Sequence, residues 1–301
     1  IPLIGYEDSL IGVLQILNKI DGVFDEQDEY VGQALAAQAA VVLHRARITE
    51  QIIASERLGR EISVARDVQM GTLPKNMPII EGYEFGGAFA PTDQTGGDLY
   101  DFVPLADQKL FLLMGDASGH GIGPALSATQ VRAMLRVALR LESSLDDAFM
   151  HINDQLCDDL PDDRFVTAFF GLLDGKTHAI RFHSGGQGPI MHYQAEMGEY
   201  EWHPATTFPL GYMPHSSLDP PKKALLDPGD VFGLISDGIY EYENEAGVQF
   251  GHRGVRKILD KNPDASAQEL VDKIMAAARE HGGTAPQADD ITIVLVRRLP
   301  E

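Results

Sequence analysis

LFLLMGDASGHGIGPALSA, Leu110 to Ala128, is the stretch whose reading decides the fold. An apolar run, Leu110 to Met114, stops at Gly115-Asp116, and a glycine-studded turn follows. From Pro124 the apolar positions take helical spacing through Ala125, Leu126, Ala128, Val131, Met134 and Leu135. The pattern predicts a buried strand, an acidic turn and a helix, with Asp116 at the carboxyl end of the strand. A carboxylate there is costly to bury unless a cation or a set of donors meets it. A hard divalent ion is one such partner, because Mg²⁺ and Mn²⁺ take oxygen donors; capping of the turn or helix is the other reading of Asp116 taken alone.

Three more Asp-bearing turns place acid beside an apolar strand, the first two with glycine: GGDLYD (Gly96 to Asp101), LISDGIYE (Leu234 to Glu241) and ADDITIVLV (Ala288 to Val296). Four separated strand-end aspartates are what one core must supply to hold two oxygen-loving cations. In such sites the ions sit about 3.5–4 Å apart, clamp a phosphate and activate water.

GGDLYD, GDASGHG, SDG and DDIT, preceded by ISVARDVQMGTLP, together resemble the SpoIIE/RsbU-type serine phosphatases, bacterial members of the metal-dependent protein phosphatase 2C-like (PPM) family. The resemblance runs from about Ile62 to the C-terminus. It implies an α+β fold, an α-β-β-α sandwich of two packed antiparallel sheets flanked by helices, with two Mn²⁺ or Mg²⁺ ions at one end between the sheets. It further implies that Asp116 bridges the ions and that the Ala117 carbonyl contacts one of them. Asp237 and Asp289 then complete one shell, and Asp98 serves the other ion directly or through water. Asp116 and Asp237 are the implied catalytic aspartates, and Asp290 is expected to support the ligands. Water activated between two cations needs no protein nucleophile, so Ser118 and Cys157 are not expected to act as one. The implied substrate is a phosphorylated STAS-domain anti-sigma-factor antagonist in a partner-switching pathway. The rival reading is a phosphatase-like module that sequesters a phosphoprotein without turning it over.

Some positions stay open. Eukaryotic relatives carry His two residues after the bridging Asp, where this chain has Ser118. His120 either assists the leaving group or packs the turn. Glu241 is either a group behind the ligands or a surface acid. Asp101 is expected as an exposed turn residue, with a place behind the ligands as the alternative. Arg132, Arg136 and Arg140, at helical spacing, are expected on a solvated face. In HSGGQGP, Gly186 and Gln187 stand where the family has an AGHNPP-like loop, so the role of that histidine is not filled the same way. The glycines of GHGIG lack the βαβ context of a dinucleotide loop.

Ahead of these motifs, Ile1–Ile4 and Leu10–Leu17 read as two short strands. Asp25-Glu26-Gln27-Asp28 reads as a capping box, and Val31, Leu35, Ala39, Val42 and Ala46 form one apolar helical face. This part resembles the end of a GAF sensory domain without the strands that form a ligand pocket. The expected division is 1–48 as the C-terminal part of a GAF-like domain, 49–77 as a helical linker and 78–301 as the phosphatase domain. The linker contains no breaker before Pro74, and a homodimer through the N-terminal helix is the expected assembly.

The 301 residues carry Lys+Arg 24 against Asp+Glu 45, a net charge of -21. A chain this acidic repels phosphate backbones, so no nucleic-acid partner is expected. Cys157 stands alone, which excludes an internal disulfide and suits a reducing cytoplasm. No apolar run reaches the roughly 18–20 residues of a membrane span. The chain starts at Ile1 without a basic leader or cleavage site and reads as a fragment.

Overall fold

The computed structural model describes residues 1–300, apart from the side chain of Glu7, and the chain divides into two units, Ile1–Val64 and Ala65–Glu301. Glu301, the last residue of the expected 78–301 domain, lies outside the described residues. In the first unit β1 (Pro2–Ile4) and β2 (Leu10–Val13) pair antiparallel. The helix α1 (Glu26–Thr72) starts on the expected box. Asp25 Oδ1 accepts the N–H groups of Gln27 and Asp28, each at 3.0 Å, and Asp28 Oδ2 accepts that of Asp25 at 3.0 Å. Leu3, Ala36 and Ala40 are buried together beside Ile1, Ile11 and Leu14. Helical residues run to Thr72, and Pro74 blocks continuation.

The second unit contains β3 (Tyr83–Ala90), β4 (Asp98–Pro104), β5 (Lys109–Ala117), α2 (Ile122–Arg140), α3 (Leu145–Asp159), β6 (Val166–Asp174), β7 (Ala179–Gly185), β8 (Ile190–Gln194), β9 (Glu199–His203), β10 (Lys222–Leu225), β11 (Val231–Ile235), the short α4 (Asp237–Tyr240), α5 (Gly251–Lys261), α6 (Ala267–Gly282) and β12 (Ile291–Arg298). The strands form two five-stranded antiparallel sheets, in the orders β10-β7-β6-β5-β4 and β3-β12-β11-β8-β9.

Side chains alternate across a strand, so a strand buried on both faces must be apolar throughout. β5 shows this directly. Leu110, Leu112 and Met114 enter the core between the sheets with Phe102, Phe169, Phe182 and Phe232. Phe111 and Leu113 face the opposite way, onto Ala128, Val131 and Leu135 of α2 and Phe149 and Ile152 of α3. β12 behaves alike: Val294 and Val296 face the inner core, while Ile291, Ile293 and Leu295 pack on Leu270, Val271 and Ile274 of α6. The layers are therefore helix, sheet, sheet, helix.

Three expectations fail here. GGDLYD is not a turn throughout, because Asp98 opens β4. Asp101 is not exposed: it lies mid-strand on the helix-facing side, 1% exposed. Nor do all three arginines of α2 line a solvated face. Arg136 donates through Nε and Nη2 to the two Asp101 oxygens at 2.6 and 2.8 Å, and Arg132 Nε lies 2.9 Å from Oδ2. The helix buries this edge of the sheet, and the charges meet there as a group.

Candidate active site

Antiparallel pairing gathers residues that lie far apart in the chain. The start of β4 adjoins the end of β5, with Asp98 and Asp116 as direct cross-strand partners. Both continue the inward-facing alternation of Tyr100, Phe102, Leu112 and Met114. On the other sheet, the end of β11 adjoins the start of β12, Ile235 pairing with Ile293. Asp237 follows the first and Asp289-Asp290 precedes the second. Two strand ends and two strand starts thus deliver five carboxylates to one end of the sandwich.

The two sheets are tied to each other at this end. Thr292 Oγ1 donates to Asp98 Oδ2 at 2.6 Å. Asp290 Oδ1 accepts the Thr92 N–H at 2.7 Å and its Oδ2 that of Asp98 at 3.4 Å. Ser236 Oγ accepts the Thr292 N–H at 2.8 Å. Gln69, near the end of α1, holds both backbone groups of Gly96, donating to its carbonyl at 2.6 Å and accepting its N–H at 3.2 Å. Glycine is required where these loops touch. A Cβ on Gly97 would stand 2.5 Å from the Ala117 carbonyl oxygen and 3.2 Å from Asp116 Oδ1, and one on Gly238 would stand 1.9 Å from the Asp290 carbonyl oxygen.

Burial first, then the charge of Asp116, pushes the Asp98 carboxyl well above its ordinary range. Burial, reinforced by Asp237, Asp289 and Asp290, pushes Asp116 up to about 7. Asp237 is raised by burial and by Asp289. Asp290 is raised by burial against the opposing N–H bonds from Thr92, Asp98 and Gly97. Among the described residues none of the five pairs with Lys, Arg or His. A crowd of carboxylates with no protein cation is stable in its charged form only with cations bound.

The donor set fits Mg²⁺ or Mn²⁺: carboxylate oxygens and the Ala117 carbonyl, which only a glycine at position 97 leaves uncrowded. No three of these carboxylates bring an oxygen each within 4.8 Å of one another.

Asp116, Asp289 and Asp290 line a cleft of about 420 Å³ with Thr92, Asp93, Gly119, His120 and Ala288. His120 stands at its mouth, its side chain 86% exposed and Nδ1 3.7 Å from Asp93. Glu241 is exposed and lines an adjoining hollow with Gly238 and Asp289. Asp101 points away from the cleft, into its arginine pair. Ser118 Oγ accepts the Phe165 N–H at 3.1 Å and so braces the turn. Cys157 sits on α3, its thiol pushed up by burial and by Asp154 and Asp158. Beside Asp116, Thr167 Oγ1 donates to Gln187 Oε1 at 3.0 Å, so Gln187 is positioned through a hydroxyl in the neighbouring strand.

The sequence reading passed over Thr292 and Gln69. Thr292 was detectable, since it follows Asp290 by two residues on the same strand face. Gln69 lies in ISVARDVQMGTLP, quoted for the resemblance, but nothing in the sequence shows that it reaches the loop of Gly96.

Comparison with known proteins finds a matching family model and related chains. The family model for Stage II sporulation protein E (SpoIIE) matches residues 106–299, which include Asp116, Asp237, Asp289 and Asp290 but not Asp98. Protein IcfG of Synechocystis sp. is 26% identical over 267 residues, covering 79% of this chain and 41% of IcfG. The phosphoserine phosphatase RsbU of Bacillus subtilis is 24% identical over 246 residues, covering 81% of this chain and 71% of RsbU. The chain therefore spans less than half the length of the first of these relatives. Among solved structures, the SiaA-PP2C domain of Pseudomonas aeruginosa superposes with a TM-score of 0.67 at 23% identity, covering 81% of this chain and 98% of that domain. The PP2C phosphatase domain of SpoIIE from Bacillus subtilis, with a fragment of its regulatory domain, gives 0.63 at 21% identity, covering 73% of this chain and 64% of that one. At these identities the likeness is one of fold.

Proposed function

The chain belongs to the SpoIIE family, and on that premise we propose that it is a Mn²⁺- or Mg²⁺-dependent phosphatase acting on phosphoserine or phosphothreonine in a protein. The observation that carries this reading is the group of five carboxylates at the common end of two sheets, with no protein cation among the described residues; four of them, Asp98, Asp116, Asp237 and Asp290, are raised by burial and by neighbouring carboxylates. When bound, two divalent ions would neutralise the phosphoryl oxygens and lower the pKa of a water between them. Asp116, Asp237 and Asp289 would hold one ion, and Asp116, the Ala117 carbonyl and Asp98, aimed by Thr292, would hold the other. Asp290 holds the backbone of Thr92 and Asp98 in place rather than facing an ion. Ser118 is committed to the Phe165 N–H and Cys157 is on α3, so neither is the nucleophile.

RsbU is named a phosphoserine phosphatase, and a solved relative joins RsbU and RsbW domains in one Mycobacterium tuberculosis protein. These support a phosphorylated STAS-domain protein as substrate and a cytoplasmic partner-switching role. The proposed organisation is 1–48 GAF-like, 49–77 linker and 78–301 phosphatase. Exposed Val31, Leu35, Val42, Ile52 and Leu58 on α1 support pairing of two copies through that helix. No helix among the described residues is long and apolar enough to cross a membrane.

The test is phosphate release from a phosphoserine peptide with and without Mn²⁺. Release that requires Mn²⁺ and stops on chelation is the expected result. Tight retention of the phosphopeptide without release identifies a sequestering module instead.

A further inference from the structure

The hairpin β8–β9 lies at the edge of its sheet. His192 and Glu201 are cross-strand partners, and His203 lies two residues further along the same face of β9. One ligating atom from each of the three lies within 4.8 Å of the other two. His203 Nδ1 is 3.5 Å and His192 Nδ1 4.0 Å from the Glu201 carboxylate. His192 also pairs with Phe232 of β11, five residues before Asp237, roughly 16 Å along the strand at about 3.3 Å per residue. The cluster is thus separate from the aspartate end.

The arrangement behind these residues is that of a ligand set. His192 Nε2 is 3.0 Å from Asp230 Oδ2, and both side chains are buried. Asp230 also accepts the N–H groups of Ala195 at 2.8 Å and Asp227 at 2.9 Å. Asp230 is therefore the acceptor, and His192 Nε2 carries the proton. In the neutral ring, Nδ1 then turns a lone pair toward Glu201. A carboxylate fixing one nitrogen while the other faces a metal is the usual support of a metal-ligating histidine. His203 Nε2 is buried without a hydrogen-bond partner, so no other polar group fixes that ring. Phe182 and Phe232 pack beside the imidazoles, with Phe182–His203 and Phe232–His192 centroids 5.8 and 6.2 Å apart, and shield the pair from water. Glu201 is steadied by Gln194 Nε2 at 3.3 Å.

We propose that His192, Glu201 and His203 form a second metal site, for Zn²⁺ or a similar borderline ion, which fastens the β8–β9 hairpin to the sheet edge. Two imidazoles and one carboxylate suit Zn²⁺ better than Mg²⁺, so this site and the aspartate end select different ions. Three protein ligands leave a fourth position for water. The proposal stands independently of the phosphatase reading.

The experiment titrates the chain with Co²⁺ and then Zn²⁺ in excess Mg²⁺, which occupies the aspartate end. The expected result is one equivalent per chain, with the intense visible absorption of four-coordinate Co²⁺, lost on addition of Zn²⁺, and a rise in melting temperature with Zn²⁺. His203→Gln and, on the half-exposed position, Glu201→Gln abolish that equivalent. Asp230→Asn weakens it about 10- to 100-fold, and Asp116→Asn leaves it intact. Zn²⁺ uptake unchanged in both His203→Gln and Glu201→Gln, loss of the signal in Asp116→Asn, or no uptake in excess Mg²⁺ would each overturn the proposal.

Discussion

Thr292→Val removes one oxygen from the core beside the site and changes little else. Thr292 is fully buried and Asp98 is 2% exposed, so water does not replace the lost donor. Valine fills nearly the same volume. What disappears is the 2.6 Å hydrogen bond to Asp98 Oδ2, which links the two sheets at their shared end. Hydrogen bonds to charged groups contribute about 1.5–3 kcal/mol, equivalent to about 10- to 150-fold in an equilibrium constant. The loss falls on the charged form of Asp98, whose pKa burial and Asp116 already raise. Proton binding strengthens, cation binding weakens, and the carboxylate loses the contact that aims it. Support groups behind metal ligands contribute about 10- to 100-fold in affinity, the same range. The assay is phosphate release against Mn²⁺ concentration at fixed phosphoserine peptide. The half-saturating Mn²⁺ should rise about 10- to 100-fold, turnover at saturating Mn²⁺ should stay within a few-fold, and Thr292→Ser should restore the wild-type midpoint. A folded Val variant with an unchanged Mn²⁺ midpoint would refute the reasoning, because Asp98 would then not be a group on which cation binding depends.

Asp237→Asn keeps the shape but removes a charge facing the cations, and turnover should fall about 10²- to 10³-fold, as for loss of a comparable electrostatic element; peptide hydrolysis at saturating Mn²⁺ measures it. Asp101→Asn should act on stability instead. It leaves two arginines facing a neutral group at a position with no exposed side chain, and breaking a buried pair costs about 3–5 kcal/mol, read by urea unfolding. Activity per folded molecule should persist in that variant. The metal-free protein should lose stability as pH rises. The folded-state pKa of Asp116 is raised from 3.8 to about 7, so the folded form holds its proton more tightly. That contribution is complete below about 4 and gone above about 7. Comparing the pH dependence of unfolding in wild type and Asp116→Asn isolates it, and the variant should show the shallower decline.

The central strand was legible because its residues are apolar on both faces, a pattern that only a strand covered on both sides requires. The same continuity hid its direction: nothing in Leu110–Met114 tells which alternate side chains meet the other sheet. Asp116 and Asp237 stood out as acid beside glycine at strand boundaries, and Asp289 as acid just ahead of an apolar run. That they converge could not be read locally, since it depends on antiparallel register between β4 and β5 and between β11 and β12. GGDLYD misled because two glycines suggest a turn, while the strand begins at the very next residue. Asp101 and its arginines are 31 and 35 residues apart in the chain, and neither end of such a pair marks the other. The β8–β9 hairpin, with His192, Glu201 and His203, was passed over for a similar reason. Its ligands alternate with ordinary strand residues and become a group only when the register is known.

The central claim is that the aspartates at the end of the two sheets hold two cations and that hydrolysis depends on both. Its most direct test counts bound Mn²⁺ and released phosphate in the same samples, using wild-type chain and Asp116→Asn with His203→Gln as the background for both. About two ions per chain are expected, as in other paired-metal hydrolases, with phosphate release rising only as the second is taken up. Asp116→Asn should hold fewer ions and release almost nothing. Full activity with a single bound ion, or Asp116→Asn binding and hydrolysing like its parent, would contradict the account.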